Sequence, residues 1–169
     1  MDESIRDSIA AASEYLSAHP DEARYTDSVA RAVADGLRTT VTGAAGETLV
    51  TDMPRSVGGG DAAPSPGWML RAAISSCVAT LIAMRAAVKE IDLSTLEVTV
   101  DSESDDRGIL GLEDAVPAGP LSVRVHVRIS SVGTSPEELD GIVKWAFLHC
   151  PVSDAVQRAV PMTLEIGLD

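Results

Sequence analysis

The chain has 169 residues, enough for one domain with a real core and hardly enough for two. At 45% hydrophobic it belongs with globular proteins, and with only 3% aromatics its interior must be filled by Val, Ile, Leu, Ala and Met. Thirteen basic against 26 acidic residues give a net charge of -13, which argues against nucleic acid and against anionic membrane surfaces.

The N-terminus, MDESIRDSIA, is acidic where a signal peptide needs a basic start and then an apolar stretch. The longest uncharged apolar run, Ala72 to Met84, is 13 residues, too short to span a bilayer and suited to a buried helix. A cytoplasmic protein with reduced thiols is therefore expected.

Residues 4–18 place Ile5, Ile9, Ala12 and Leu16 at helical spacing, with Ser4 as N-cap. His19-Pro20 ends that helix, because the residue before proline is pushed out of the α region. A second short helix is expected over 21–35. Residues 1–36 read as an N-terminal helical extension and 37–169 as the main domain.

From Leu37 the period changes. LRTTVTG and ETLVTDMP are strand-like runs around Ala44-Ala45-Gly46, a hairpin. SVGGGDAAPSP is a loop, since three glycines and two prolines leave no regular structure available. Ser65-Pro66-Gly67 opens an apolar helix to about Val88, with Ser65 as N-cap and Pro66 at the first helical position. LSTLEVTVDSES and PLSVRVHVRISS alternate as strands, the second with Val123, Val125, Val127 and Ile129 on one face and Arg124, His126 and Arg128 on the other. Ser135-Pro136-Glu137-Glu138 starts a further helix to about His149 that buries Leu139, Ile142, Val143, Ala146 and Phe147. Cys150-Pro151 breaks it, VSDAVQRAV follows as a short helix, and MTLEIGL is expected to close the chain as a strand. The order gives an α+β fold with a mainly antiparallel sheet.

Two cysteines carry the chemical interest. Cys77 lies in the apolar helix and Cys150 directly precedes a proline. They are either two inert core residues or the halves of a thiol redox centre. His149 neighbours Cys150 but points about 100° away on a helix, and His126 reads as a solvated strand residue. Three histidines and two cysteines so widely scattered argue against zinc, and Gly58-Gly59-Gly60 lacks the strand–glycine–helix context of a nucleotide loop. Asp105, Asp106 and Arg107 with Gly108 shape a turn between strands.

Three stretches make the chain resemble the OsmC/Ohr family of thiol peroxidases: GGG-x3-PSPGWMLRAAISSC, SESDDRGILG, and SPEELDGIVKWAFLHCPVSDAV. The resemblance runs from about Leu37 to the C-terminus. It implies antiparallel sheets wrapped around two central helices in an intertwined homodimer, with the active sites at the subunit interface. It implies that Cys77 is the peroxidatic cysteine and Cys150 the resolving one, with no cofactor beyond an external dithiol reductant. Typical members hold the thiolate with an arginine from the first hairpin, and here TGAAGE has none. Members specialised for organic hydroperoxides carry glutamate directly after the proline, where this chain has Gly67. Arg38, Arg55 and Arg71 are the candidate substitutes for the arginine.

The first functional expectation is a homodimeric thiol-dependent peroxidase acting on organic hydroperoxides with a dithiol protein as reductant. The second is a non-catalytic OsmC-like stress or small-molecule-binding protein that retains an apolar interface pocket.

Overall fold

The computed structural model of the chain describes residues 3–158 and 160–168. It comprises two compact units, Glu3–Ala73 and the residues from Ile74 onward. Both expectations about class hold: the fold is α+β and its sheets are antiparallel.

The first unit opens with α1 (Glu3–Ala18) and a 3-10 turn at Pro20–Ala23. Because α1 begins at Glu3, Ser4 lies inside the helix and does not serve as its N-cap. The helix expected over 21–35 does not form beyond that single turn. Ala30–Asp35 is instead a strand, β1, paired antiparallel with β2 (Arg38–Gly43) from Ala30↔Gly43 to Asp35↔Arg38. The cause is the two-residue loop Gly36-Leu37: Gly36, at φ +60, takes the first central position of a tight hairpin turn, where glycine is favoured. The β-branched run Thr39–Thr42 then templates strands on both its edges. On the other side it pairs with β3 (Thr48–Thr51), so the expected hairpin becomes the second half of a three-stranded sheet.

The glycine-rich segment after β3 is held by one carboxylate. Asp52 is buried, and its oxygens accept the backbone N–H groups of Met53 (2.8 Å), Gly60 (3.2 Å) and Ala62 (3.1 Å). The backbone at Gly59 lies so close to Met53 that any Cβ would overlap the Met53 carbonyl. The Ala62 N–H holds the Asp52 carboxyl below its ordinary range. The Gly60 and Met53 N–H groups and the Arg38 charge add to it, together outweighing the opposing effect of burial.

The second unit continues α2 (Pro66–Val88) and adds β4 (Leu93–Glu103), α3 (Asp106–Ile109), β5 (Ser122–Ser131), α4 (Pro136–Leu148) and α5 (Pro151–Gln157). The bounds of α2 match the reading from sequence, and its Ser65 hydroxyl accepts the Trp68 N–H at 3.2 Å. It ends in a Schellman motif: Ile91 donates to the Ala86 carbonyl and Glu90, at φ +57, to that of Ala87. By length and composition alone this helix is apolar enough to cross a membrane. Every fourth residue along it (Ile74, Val78, Ile82, Ala86) is nevertheless buried in the fold, and with Leu139, Ile142 and Ala146 of α4 these side chains make the core.

β4 and β5 form a two-stranded ribbon from Leu93↔Ser131 to Glu103↔Ser122. As expected, its outer face is charged: Arg124 pairs with Asp101 and Arg128 with Glu97, each at 2.7 Å, and His126 lies 3.5 Å from Asp101. In α4, Leu139, Ile142 and Ala146 are fully buried, and Val143 and Phe147 are half-buried. Asp105 caps α3, a one-turn helix within the expected turn, and its carboxylate also binds Arg107.

The expected C-terminal strand is absent. Residues 162–168 have no regular structure, and Met162, Leu164, Ile166 and Leu168 are 71% to 95% exposed. A strand needs a neighbour to take its backbone hydrogen bonds, and among the described residues no sheet of the chain pairs with this segment.

Asp52→Asn should lower Tm at neutral pH. A carboxyl depressed in the fold contributes stability above its unfolded value of about 3.9 and loses it as pH falls through the folded value. The difference in Tm between variant and wild type, followed by circular dichroism, should therefore shrink below pH ~4.

Candidate active site

Cys77 is presented midway along α2, and Cys150 stands at the break between α4 and α5. The break is local chemistry: His149 leaves the α region, and Pro151 cannot continue α4 but is pre-set for the first position of α5. Cys150 thereby becomes the N-cap of α5, at φ -77 and ψ 113. Its sulfur accepts the Ser153 N–H at 3.4 Å, the role a serine or aspartate oxygen usually plays.

The two thiols, far apart in sequence, bear on each other's electrostatics. Cys150 has no solvent exposure and Cys77 is partly exposed. Both are free thiols.

Their electrostatics differ in sign. Burial pushes the Cys77 thiol up, and the hydrogen bond to Cys150 and the negative charge there push it further, against a smaller opposing effect of the Val152 N–H. Burial also acts upward on Cys150, but it is overcome by the Ser153 hydroxyl, the Ser153 N–H, the Cys77 S–H and the Val152 N–H, so Cys150 ends below the ordinary cysteine range. The Ser153 hydroxyl is buried, and among the described residues it has no partner of standard hydrogen-bond geometry.

A stack of three side chains fixes α2 against α4 beside this pair. The Arg85 guanidinium lies 4.5 Å over the Trp145 ring, and His149 stacks on Trp145 at 4.2 Å. His149 Nδ1 donates to the Trp145 carbonyl at 2.7 Å, so this histidine is tied to α4.

The candidate arginines all belong to the first unit's segments. Arg38 opens β2 and acts on Asp52, Arg55 begins a 3-10 turn, and Arg71 lines a cleft of about 330 Å³ with Asp61 and Trp68. Arg71 precedes Cys77 by six positions on α2, which puts it ~9 Å along the axis and on another face. The group that sequence reasoning missed is Ser153. Its signal was the spacing Cys-Pro-x-Ser, a capping pattern with sulfur in place of oxygen.

The family model described as OsmC-like protein matches residues 58–165, which include both cysteines, α2 and α4. The chain belongs to the OsmC-like family. Solved OsmC and organic hydroperoxide resistance proteins share its fold. An organic hydroperoxide resistance protein OsmC from Legionella pneumophila is 24% identical, with a TM-score of 0.58 over 79% of this chain and 91% of that one. An OsmC like protein from Mycoplasma pneumoniae is 17% identical, with a TM-score of 0.67 over 80% of this chain and 91% of that one. An organic hydroperoxide resistance protein from Elizabethkingia anophelis is 20% identical, with a TM-score of 0.59 over 80% of this chain and 91% of that one. At these identities the likeness speaks for the fold alone. No curated protein matches the chain.

Ser153→Ala removes a donor from Cys150 without breaking a well-formed hydrogen bond. Its Tm should stay close to that of the wild type, while the ultraviolet thiolate absorbance titrates at higher pH. An unchanged titration would remove Ser153 from the site.

Proposed function

We propose that this OsmC-like protein is a cytoplasmic, homodimeric thiol peroxidase that reduces organic hydroperoxides through Cys77 and Cys150. The observation that carries the reading is that two free thiols from distant parts of the chain, one partly exposed and one buried, bear on each other's electrostatics. Cys77 sulfur attacks an oxygen of the hydroperoxide, the O–O bond breaks, and the alkoxide leaves as alcohol after taking a proton. The resulting Cys77 sulfenic acid is attacked by the Cys150 thiolate. An S–S bond forms, and the hydroxyl leaves as water with a second proton. An external dithiol then restores both thiols by two exchanges.

The dimer completes the fold in this reading. α2 is predominantly apolar and only one stripe of it is buried in a single chain, so a second α2 supplies the missing cover. The exposed apolar residues of 162–168 equally call for a partner surface. Two observations favour a second reading, an OsmC-like binding protein without catalysis: Gly67 in place of glutamate, and the upward shift of the Cys77 thiol.

Treatment with a slight excess of organic hydroperoxide should convert the two thiols into one Cys77–Cys150 disulfide, seen by intact mass as the loss of two hydrogens. Cys77→Ser should abolish turnover. Cys150→Ser should react once and then stall as a sulfenic acid or proceed to the sulfinic state. A wild type that keeps both thiols hands the site to the binding reading.

Sedimentation at micromolar concentration should give a dimer. A well-folded monomer under these conditions contradicts the proposed assembly.

A further inference from the structure

A second candidate site lies in the first unit, on residues that the thiol chemistry does not use. The loop after β3 and the first turns of α2 form a cleft of about 330 Å³, a volume suited to a small metabolite. Its walls are set in advance. Asp52 binds the peptide N–H groups of Met53, Gly60 and Ala62, Gly59 packs against the Met53 carbonyl, and the Ser65 hydroxyl accepts the Trp68 N–H. The Asp52 carboxylate and the Ser65 hydroxyl are thereby engaged in the frame. Asp61, Trp68 and Arg71 are the other functional side chains of the lining.

Two of these carry opposite charges and come from different elements. Asp61 belongs to the loop and sits at φ +54, a conformation that non-glycine residues rarely adopt, with its N–H donating to the Met53 carbonyl at 3.1 Å. It is exposed, and among the described residues its carboxylate has no hydrogen-bond or ion-pair partner. Arg71 belongs to α2, one turn on from Trp68 and on the same face. Its Nη1 lies 4.0 Å from the place a Cβ of residue 67 would take, so the guanidinium folds back over the first turn of the helix. Gly67 keeps that place open. A glutamate there would meet Arg71 and cancel its charge. Asp61 and Arg71 therefore border one cleft without pairing with each other, and the half-exposed Trp68 ring lines it with them.

We propose that this cleft binds an apolar α-amino acid as its zwitterion, with the ammonium on Asp61, the carboxylate on Arg71 and the side chain against Trp68. A ligand with one charge would leave the opposite group of the cleft unanswered, while a zwitterion answers both. The rest of the lining, Pro54, Ala63 and Pro64, offers no polar side chain, which selects an apolar side chain over a charged one. The site stands independently of the peroxidase reading, since neither cysteine lines it.

Isothermal titration calorimetry of the full-length protein, at two temperatures, tests this with three probes of related carbon skeleton. They are L-leucine, isoamylamine, which lacks the carboxylate, and isocaproate, which lacks the amine. We expect L-leucine to bind roughly tenfold or more tightly than either fragment. Asp61→Asn, which tolerates the left-handed conformation, should weaken L-leucine and isoamylamine and leave isocaproate unchanged. A Cβ at residue 67 meets no atom closer than 3.9 Å, so Gly67→Glu is accommodated; its carboxylate should weaken L-leucine and isocaproate without weakening isoamylamine. Isoamylamine or isocaproate binding as tightly as L-leucine would reduce the site to a single charge and overturn the proposal. So would the absence of L-leucine binding at millimolar concentration, or binding indifferent to both substitutions. Cys77→Ser should bind L-leucine as the wild type does, whether or not the protein reduces hydroperoxides. Loss of binding in that variant would put the ligand at the thiols and overturn the assignment to this cleft.

Discussion

The interaction between the Cys77 and Cys150 sulfurs depends on a helix that is allowed to stop. α4 ends at Leu148 because Pro151 cannot extend it, and the backbone between them turns Cys150 inward as the cap of α5. Had α4 continued, position 150 would have followed the helical screw, and nothing would bring its side chain to α2. The apolar stripe of α2 and the Arg85–Trp145–His149 stack then join the two helices.

Burial makes the pair's charge state asymmetric. In a medium of low dielectric two adjacent thiolates repel strongly, and a single shared proton is the economical state. Which sulfur keeps it depends on where the donors are, and the Ser153 N–H is bound to the Cys150 sulfur. The Asp52 carboxylate applies the same principle elsewhere. Three peptide N–H groups gathered on one buried anion fix a loop of otherwise permissive glycines.

Much of the fold could be read from the residues. α2 announces itself through Ser65-Pro66 at one end and Lys89-Glu90 at the other, and the β5 strand through strict alternation from Val123 to Ile129. Two elements could not be read for different reasons. β1 is Ala-rich and lacks the alternation that marks a strand, so its identity comes from its pairing with β2 across the Gly36-Leu37 turn. The 162–168 segment has strand-like alternation yet no strand, since alternation states a preference and only a neighbouring edge fulfils it. At the site, the two cysteines were legible through their family setting. Their opposite electrostatic shifts were not, because Ser153 matters only once α5 begins at Cys150. No residue near the hairpin turn signalled Asp52 either: a buried carboxylate is visible only when the loop has closed on it.

The central claim is that the fold itself brings Cys77 to Cys150, and the rate of disulfide closure tests it most directly. The reduced protein is treated with the thiol oxidant diamide in native buffer and in concentrated urea, and the linked peptides are identified by mass spectrometry. Closure of a Cys77–Cys150 bond within one chain should be fast in the native protein and much slower in urea, where chain entropy keeps the thiols apart. Equal rates in both conditions, or native protein whose thiols stay free or cross-link only between chains, would contradict the account.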